Sequence, residues 1–238
     1  MKRNPYRYYS LFAWMGLFMI PGTVLFWGIL GENIPPYSAA LPADEFAAEI
    51  IANASKIRIG MIGQLWISFI YALWGFVISK VMEEVEVDNN LLSTVQRWGT
   101  GLTTLIFMLP CVIWLTVVYR PEQMDPQILQ IFYDFGWLFF DNTFTLTSMA
   151  MITMGVCFLQ DERPEPLIPA WVCWIAICSG ISFVMEIFMP LFKSGAFSRS
   201  GLINYWIEFG LFFVYWWVTA IYLIKAINRL KREHANAA

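Results

Sequence analysis

Six long apolar stretches order this chain, at about 10–30, 57–82, 95–119, 133–159, 168–192 and 202–227. Each reaches the roughly 20 residues that an α-helix needs to cross a bilayer core. Apolar residues run on continuously within them and do not alternate, which points to helices rather than barrel strands. The pattern predicts an all-α polytopic membrane protein with six transmembrane helices and short amphipathic helices on the outer face. The longest connection, about 31–56, holds Pro35, Pro36 and Pro42. Its second half, 43–54, reads as a short amphipathic helix with Asp44 near its N-terminus, where a carboxylate complements the helix dipole. A second short outer helix is predicted at about 126–131. On the opposite side lie an acidic run, 83–88, read as a solvated turn, and a proline-punctuated turn, 161–166. No internal repeat appears, and no connection is long enough to separate domains, so residues 1–238 form a single domain. The first stretch is too long for the apolar part of a cleavable signal peptide and is expected to persist.

Composition removes whole classes. Of 238 residues, 58% are hydrophobic and 14% charged, against about 45–50% and about 25% in soluble domains. A soluble globular enzyme could not bury this much apolar surface. The net charge of −3, with no basic stripe, argues against nucleic acid. The aromatic content, with 12 Trp and 20 Phe, argues against disorder. Six spans put both termini on one side, together with Lys80, Arg97, Arg163 and the basic residues of both tails. The other side has Lys56, Arg58, Arg120, Lys193 and Arg199. The positive-inside rule therefore places both termini in the cytoplasm of a multi-pass cell-membrane protein, read as a bacterial inner-membrane one.

The four cysteines, Cys111, Cys157, Cys173 and Cys178, all fall inside predicted spans and read as small buried apolar residues. The one histidine, His234, lies in the C-terminal tail. Imidazole-based metal and haem centres and histidine-activated nucleophiles therefore lack their key residue in the spans. No cofactor and no metal is expected. Small residues at Gly60–Gly63 and Gly99–Gly101 suit close helix packing, within the chain or against another subunit.

The informative feature is the depth of the polar residues. Ionisable side chains inside a bilayer are costly and usually face a bundle interior or a wet cavity. Counting inward from the outer ends of their spans, Gln64, Asp141, Asn142, Glu186 and Glu208 fall in one layer, with Asp134 about two turns above Asp141. Helical spacing extends these faces through Ser68 and Tyr71, Thr145 and Ser148, Ser179 and Ser182, and Asn204 and Tyr215. They predict an outward-open polar cleft, with Arg58, Arg120 and Lys193 at its mouth. Either these groups pair to hold the helices together, or the cleft takes a ligand, a proton or a cation. Pro21, Pro110 and Pro190 lie inside spans and can kink them. Tyr205 and Trp206 read as interfacial anchors.

Several strings at the outer span ends carry a resemblance: Lys56-Ile57-Arg58-Ile59-Gly60, Tyr119-Arg120-Pro121-Glu122, Asp134-Phe135-Gly136-Trp137-Leu138 and Phe192-Lys193-Ser194-Gly195-Ala196-Phe197. Together they resemble a group of uncharacterised bacterial multi-span integral membrane proteins, a resemblance that implies no activity. Three functions stay open. The leading one is binding, with transport as its extension, of a small amphipathic or hydrophobic molecule in the acidic cleft. Asp134, Asp141, Glu186 and Glu208 would anchor it, Gln64 and Asn142 would orient it, and Arg58 and Arg120 would balance charge. The second is an accessory subunit of a membrane complex or a homo-oligomer. The third is a histidine-free enzyme using paired carboxylates, although the balance leans away from catalysis. The expected partners are the lipid bilayer, that ligand and other membrane subunits, with no nucleic acid.

Overall fold

The computed structural model describes residues 6–87 and 89–237, and every regular element among them is helical. Helix α1 spans Arg7–Thr23 and continues through a π-helical segment, Val24–Leu30. Then come α2, Ala43–Met82; α3, Leu91–Val117; α4, Pro126–Asn142; and α5, Thr145–Phe158. Helix α6, Ala170–Ser182, tightens into a 3-10 segment, Phe183–Leu191, and a π segment, Leu202–Ile207, leads into α7, Glu208–Ala237. Five of these runs are long and apolar enough to cross a membrane: Arg7–Leu30, Ala43–Met82, Leu91–Val117, Ala170–Leu191 and Leu202–Asn236.

The predicted fourth span is not one helix. It breaks at Thr143 and Phe144, and neither α4 nor α5 alone reaches spanning length. The cause is local. Asp141, Asn142 and Thr143 are poor helix formers in sequence, and the Thr143 hydroxyl bonds back to the Phe139 carbonyl at 2.8 Å. The two pieces nevertheless follow one path. Gly136 lies against Trp114, Phe140 against Phe107, Thr147 against Thr103 and Ala150 against Gly99. Together α4 and α5 run antiparallel along α3.

The short outer helices are also not separate. Residues 43–54 are the first turns of α2, whose 40 residues extend about 60 Å at 1.5 Å each. No glycine or proline interrupts the chain between Pro42 and Gly60, so nothing ends the helix there. Residues 126–131 are likewise the start of α4. Pro126 opens it, and the Asp125 carboxylate accepts from the Gln127 N–H at 2.9 Å.

Cross-contacts set the rest of the arrangement. Gly16 and Gly22 of α1 lie against Trp74 and Ile67 of α2, and Gly75 of α2 against Thr100 of α3. Gly155 of α5 meets Ile177 of α6, and Trp171 of α6 stacks edge-on against Tyr222 of α7. Helix α7 returns to α1 through Phe209 on Trp27 and a Lys231–Ser10 hydrogen bond. Six antiparallel rods, counting α4–α5 as one, thus close into a ring. Gly60, Gly63 and Gly99 serve contacts inside it. A Cβ on Gly60 would sit 2.5 Å from the Phe26 carbonyl oxygen, and one on Gly99 would sit 2.9 Å from the Ala150 nitrogen. Those positions are therefore not free surfaces for another subunit. Gly101 is looser, with only the Phe76 ring at 3.8 Å. Cys111, Cys157 and Cys173 are buried as expected, but Cys178 is exposed on the outside of the ring.

One end of the bundle carries the start of α1, the end of α7 and the 83–90 and 159–169 loops. Tyr6 bonds to Glu84 there and Arg229 to the Glu165 carbonyl. The acidic run is more than a solvated turn. Glu86 accepts the N–H groups of Leu92 (2.6 Å) and Ser93 (3.0 Å), capping α3, while Glu83 pairs with Lys80 and Arg97. Burial and the Glu84 carboxylate push the Tyr6 phenol up to about 12. Asp88, the last residue of that run, lies outside the described residues.

Candidate functional site

The far end of the bundle, opposite the chain ends, is closed by two loops, 31–42 and 192–201. Arg199 pins them together. Its side chain is only 2% exposed. The Nε–H donates to the Tyr37 carbonyl at 2.6 Å, Nη1 pairs with Asp134 of α4, and the guanidinium lies 5.0 Å over the Tyr133 ring. Its Nη2 has no protein partner. Beside it, Asn33 accepts from the Tyr133 hydroxyl at 3.2 Å and donates to the Trp27 carbonyl, and its own carbonyl accepts from Tyr205. Burial and the nearby Glu32 hold the Tyr37 phenol above its ordinary range.

Beneath this cap lies an aromatic layer of Trp27, Trp114, Trp137, Tyr205 and Phe209, with neighbouring ring centroids 4.9–6.5 Å apart. One turn below Trp137 on α4 is Asp141, fully buried, with Oδ2 accepting from Asn204 Nδ2 at 3.1 Å. Glu186 and Glu208 are buried at the same level, and Glu186 stands within electrostatic reach of both Asp141 and Glu208. Asp141 Oδ1, both Glu208 oxygens, Gln64 Oε1 and Asn204 Oδ1 have no protein partner. A buried carboxylate oxygen left without a donor costs more than a typical hydrogen bond returns.

Backbone irregularity coincides with this layer. Trp27 and Asn204 lie in the two π segments, Glu186 lies in the 3-10 segment, and Glu208 follows the second π segment directly. Asp141 sits just before the α4–α5 break. Non-α turns inside membrane helices recur at functional sites, and irregular backbone at membrane depth is tolerated where it lines a cavity.

Two internal cavities of about 20 Å³ each, room for about one water molecule, adjoin the layer. One is bounded by Glu186 and Thr147, the other by Gln64, Thr23 and Trp27, and Phe107, Phe140, Phe209 and Phe212 wall both. Beside the cap is a larger vestibule of about 190 Å³ between α4 and the 189–199 segment. Its walls include Trp137, Leu138, Met189 and Phe192, and its polar groups are Asp134, Lys193 and Arg199.

The structure thus brings Gln64, Asp141, Glu186 and Glu208 to one buried layer and sets Asp134 above it, at the vestibule. Asn142 adjoins the layer half-buried, its Nδ2 unpartnered. Arg58 and Arg120 are not at the site. Arg58 Nε donates to the Val118 carbonyl at 2.7 Å, tying α2 to the end of α3, and Arg120 is exposed beside the Tyr119 ring. The expected open cleft is closed by Arg199 and the aromatic layer. Sequence reasoning missed Arg199, Asn33 and Tyr133, and it read Tyr205 as an interfacial anchor although it is 3% exposed. Comparison of the chain with family models, curated proteins and solved structures gives no match.

Proposed function

We propose that this chain is an integral membrane protein that binds a small amphipathic molecule with an anionic headgroup in the far-end vestibule. In this reading α4 and α5 together make the fourth of six crossings. Both chain ends face the cytoplasm of a bacterial inner membrane, and the vestibule opens at the outer leaflet. The carrying observation is Arg199, which stands in the wall of a cavity that is otherwise largely apolar; its buried Nη2 has no protein partner. Lys193 adds a second positive charge, and only Asp134 offsets them. A carboxylate or phosphate suits such donors, while Leu138, Met189 and Phe192 suit an alkyl chain entering from the lipid. The buried carboxylates lie below the seal, and cavities of about 20 Å³ exclude the molecule from them in this conformation. Passage inward would require the Arg199–Asp134 pair to open.

Decyl phosphate is the direct probe, titrated onto the purified protein in nanodiscs and counted per chain by native mass spectrometry. One saturable molecule per chain is expected. Leu138→Trp, which fills the vestibule, should abolish binding, and Lys193→Glu should weaken it at least about tenfold, or 1.4 kcal/mol. Equal retention by all three proteins, or equal binding of decanol, overturns the reading.

A further inference from the structure

We propose that Asp141, Glu186 and Glu208 form a proton-binding site, independently of whether the vestibule takes an amphiphile. The argument starts from charge. Three carboxyl groups from α4, the 3-10 segment and α7 share one buried layer. Among the described residues the buried charged ones are these three and Arg199, and the surrounding elements otherwise bury uncharged groups. The π segment after α1 contributes Trp27, α2 contributes Gln64 and Tyr71, and α3 contributes Thr103 and Thr104, none of them charged. Helix α5 adds Ser148, α6 adds Ser179, and the last π segment with α7 adds Tyr205 and Tyr215, none of them charged. Among the described residues Arg199 is the one buried cation, and it is already paired with Asp134. No other buried cation among the described residues is available to balance the layer.

Geometry then selects the carrier. Glu208 is 2% exposed, and neither of its oxygens has a protein donor; Asp141 Oδ1 and Gln64 Oε1 are equally buried and unpartnered. These are acceptors, and a carboxylate becomes a donor only by taking a proton. Glu186 and Gln64 each border a cavity no larger than a single water, which excludes an organic cation. Among the described residues no three acidic, cysteine or histidine side chains converge closely enough to hold a metal ion. A proton is what remains. Each loading step forms one O–H bond on a carboxylate oxygen and breaks one O–H bond of a hydronium ion, which leaves as water. Trp137 lines the vestibule and lies one turn above Asp141 on α4.

The test is infrared difference spectroscopy on the full chain in nanodiscs, stepped from alkaline to acidic buffer in light and heavy water. A carbonyl band of protonated carboxylic acid should appear on acidification. It should lose a component in Glu208→Gln and another in Asp141→Asn. Glutamine has nearly the shape of a neutral glutamic acid, so Glu208→Gln should unfold at the wild-type temperature. Glu186→Gln serves as the second variant where Glu208→Gln fails to fold. A band unchanged by every variant overturns the proposal. So does a band that sodium or potassium chloride removes at constant pH, because a metal cation then occupies the site. Leu138→Trp should leave the band intact, which keeps failure of this site distinct from failure of the vestibule.

Discussion

The Asp134–Arg199 pair makes an asymmetric prediction. The two partners differ in their access to water: the Arg199 side chain is 2% exposed and that of Asp134 is 39% exposed. Removing one partner of a buried pair costs about 3–5 kcal/mol when it strands the other charge in a dry place. Asp134→Asn strands the guanidinium, which keeps only the Tyr37 carbonyl and the face of Tyr133. Those two contacts place the expected cost at the low end, about 3 kcal/mol. Arg199→Met strands a carboxylate that water already reaches. Its cost is the lost charge-assisted bond to Tyr37, about 1.5–3 kcal/mol, partly offset by an apolar side chain in an aromatic environment. About 1–2 kcal/mol remains. The smaller and more conservative-looking change should therefore be the more damaging one, and Arg199→Met should partly rescue Asp134→Asn in the double variant.

Equilibrium unfolding in mixed micelles, followed by far-ultraviolet circular dichroism, measures all three variants against the parent. For a chain of this size about 3 kcal/mol corresponds to roughly 6–12 °C in Tm, so thermal scans give the same order. If Arg199→Met proves the more destabilising of the two, or the double variant sums the single costs, the guanidinium is not held by Asp134 and its role as the latch fails.

Two further predictions address packing and topology. Gly60→Ala should destabilise by about 1–3 kcal/mol, because its Cβ would meet backbone atoms of Phe26, Leu30 and Gly31 at 2.5–2.7 Å. Gly101→Ala should be neutral or stabilising by up to about 1 kcal/mol, and thermal unfolding of both in detergent decides. Glu122→Cys and Glu162→Cys, in a Cys178→Ala background, should react with a membrane-impermeant maleimide from opposite sides of the membrane; labelling from one side would mean that α4–α5 does not cross.

What was legible in the sequence was whatever depends on local pattern. Continuous apolarity revealed the helices, and counting from span ends found the common depth of Asp141, Glu186 and Glu208. The continuity of α2 was also readable, since no breaker separates Pro42 from Gly60. Arg199 was not readable. In sequence it looks like Arg58 and Arg120, a cation near a span end. Its burial depends on how the 31–42 and 192–201 segments fold onto each other, and Arg199 bonds to Tyr37 across 162 positions. Hydropathy carries no information about such a contact.

The departures from α geometry were hidden for a different reason. The residues of Val24–Leu30, Phe183–Leu191 and Leu202–Ile207 are mostly as apolar as the helices that they extend. A window average therefore treats them as ordinary spans. Backbone groups released from regular helical bonding have no water to turn to in a bilayer core. Three segments of non-α helix and one helix break lie near the same three carboxyl groups. Purely structural pairing of the carboxylates would not call for this, because interhelical polar contacts form readily between regular helices. The irregular backbone and the unpartnered carboxylate oxygens meet in one layer, which is the ground for proposing that it receives a proton.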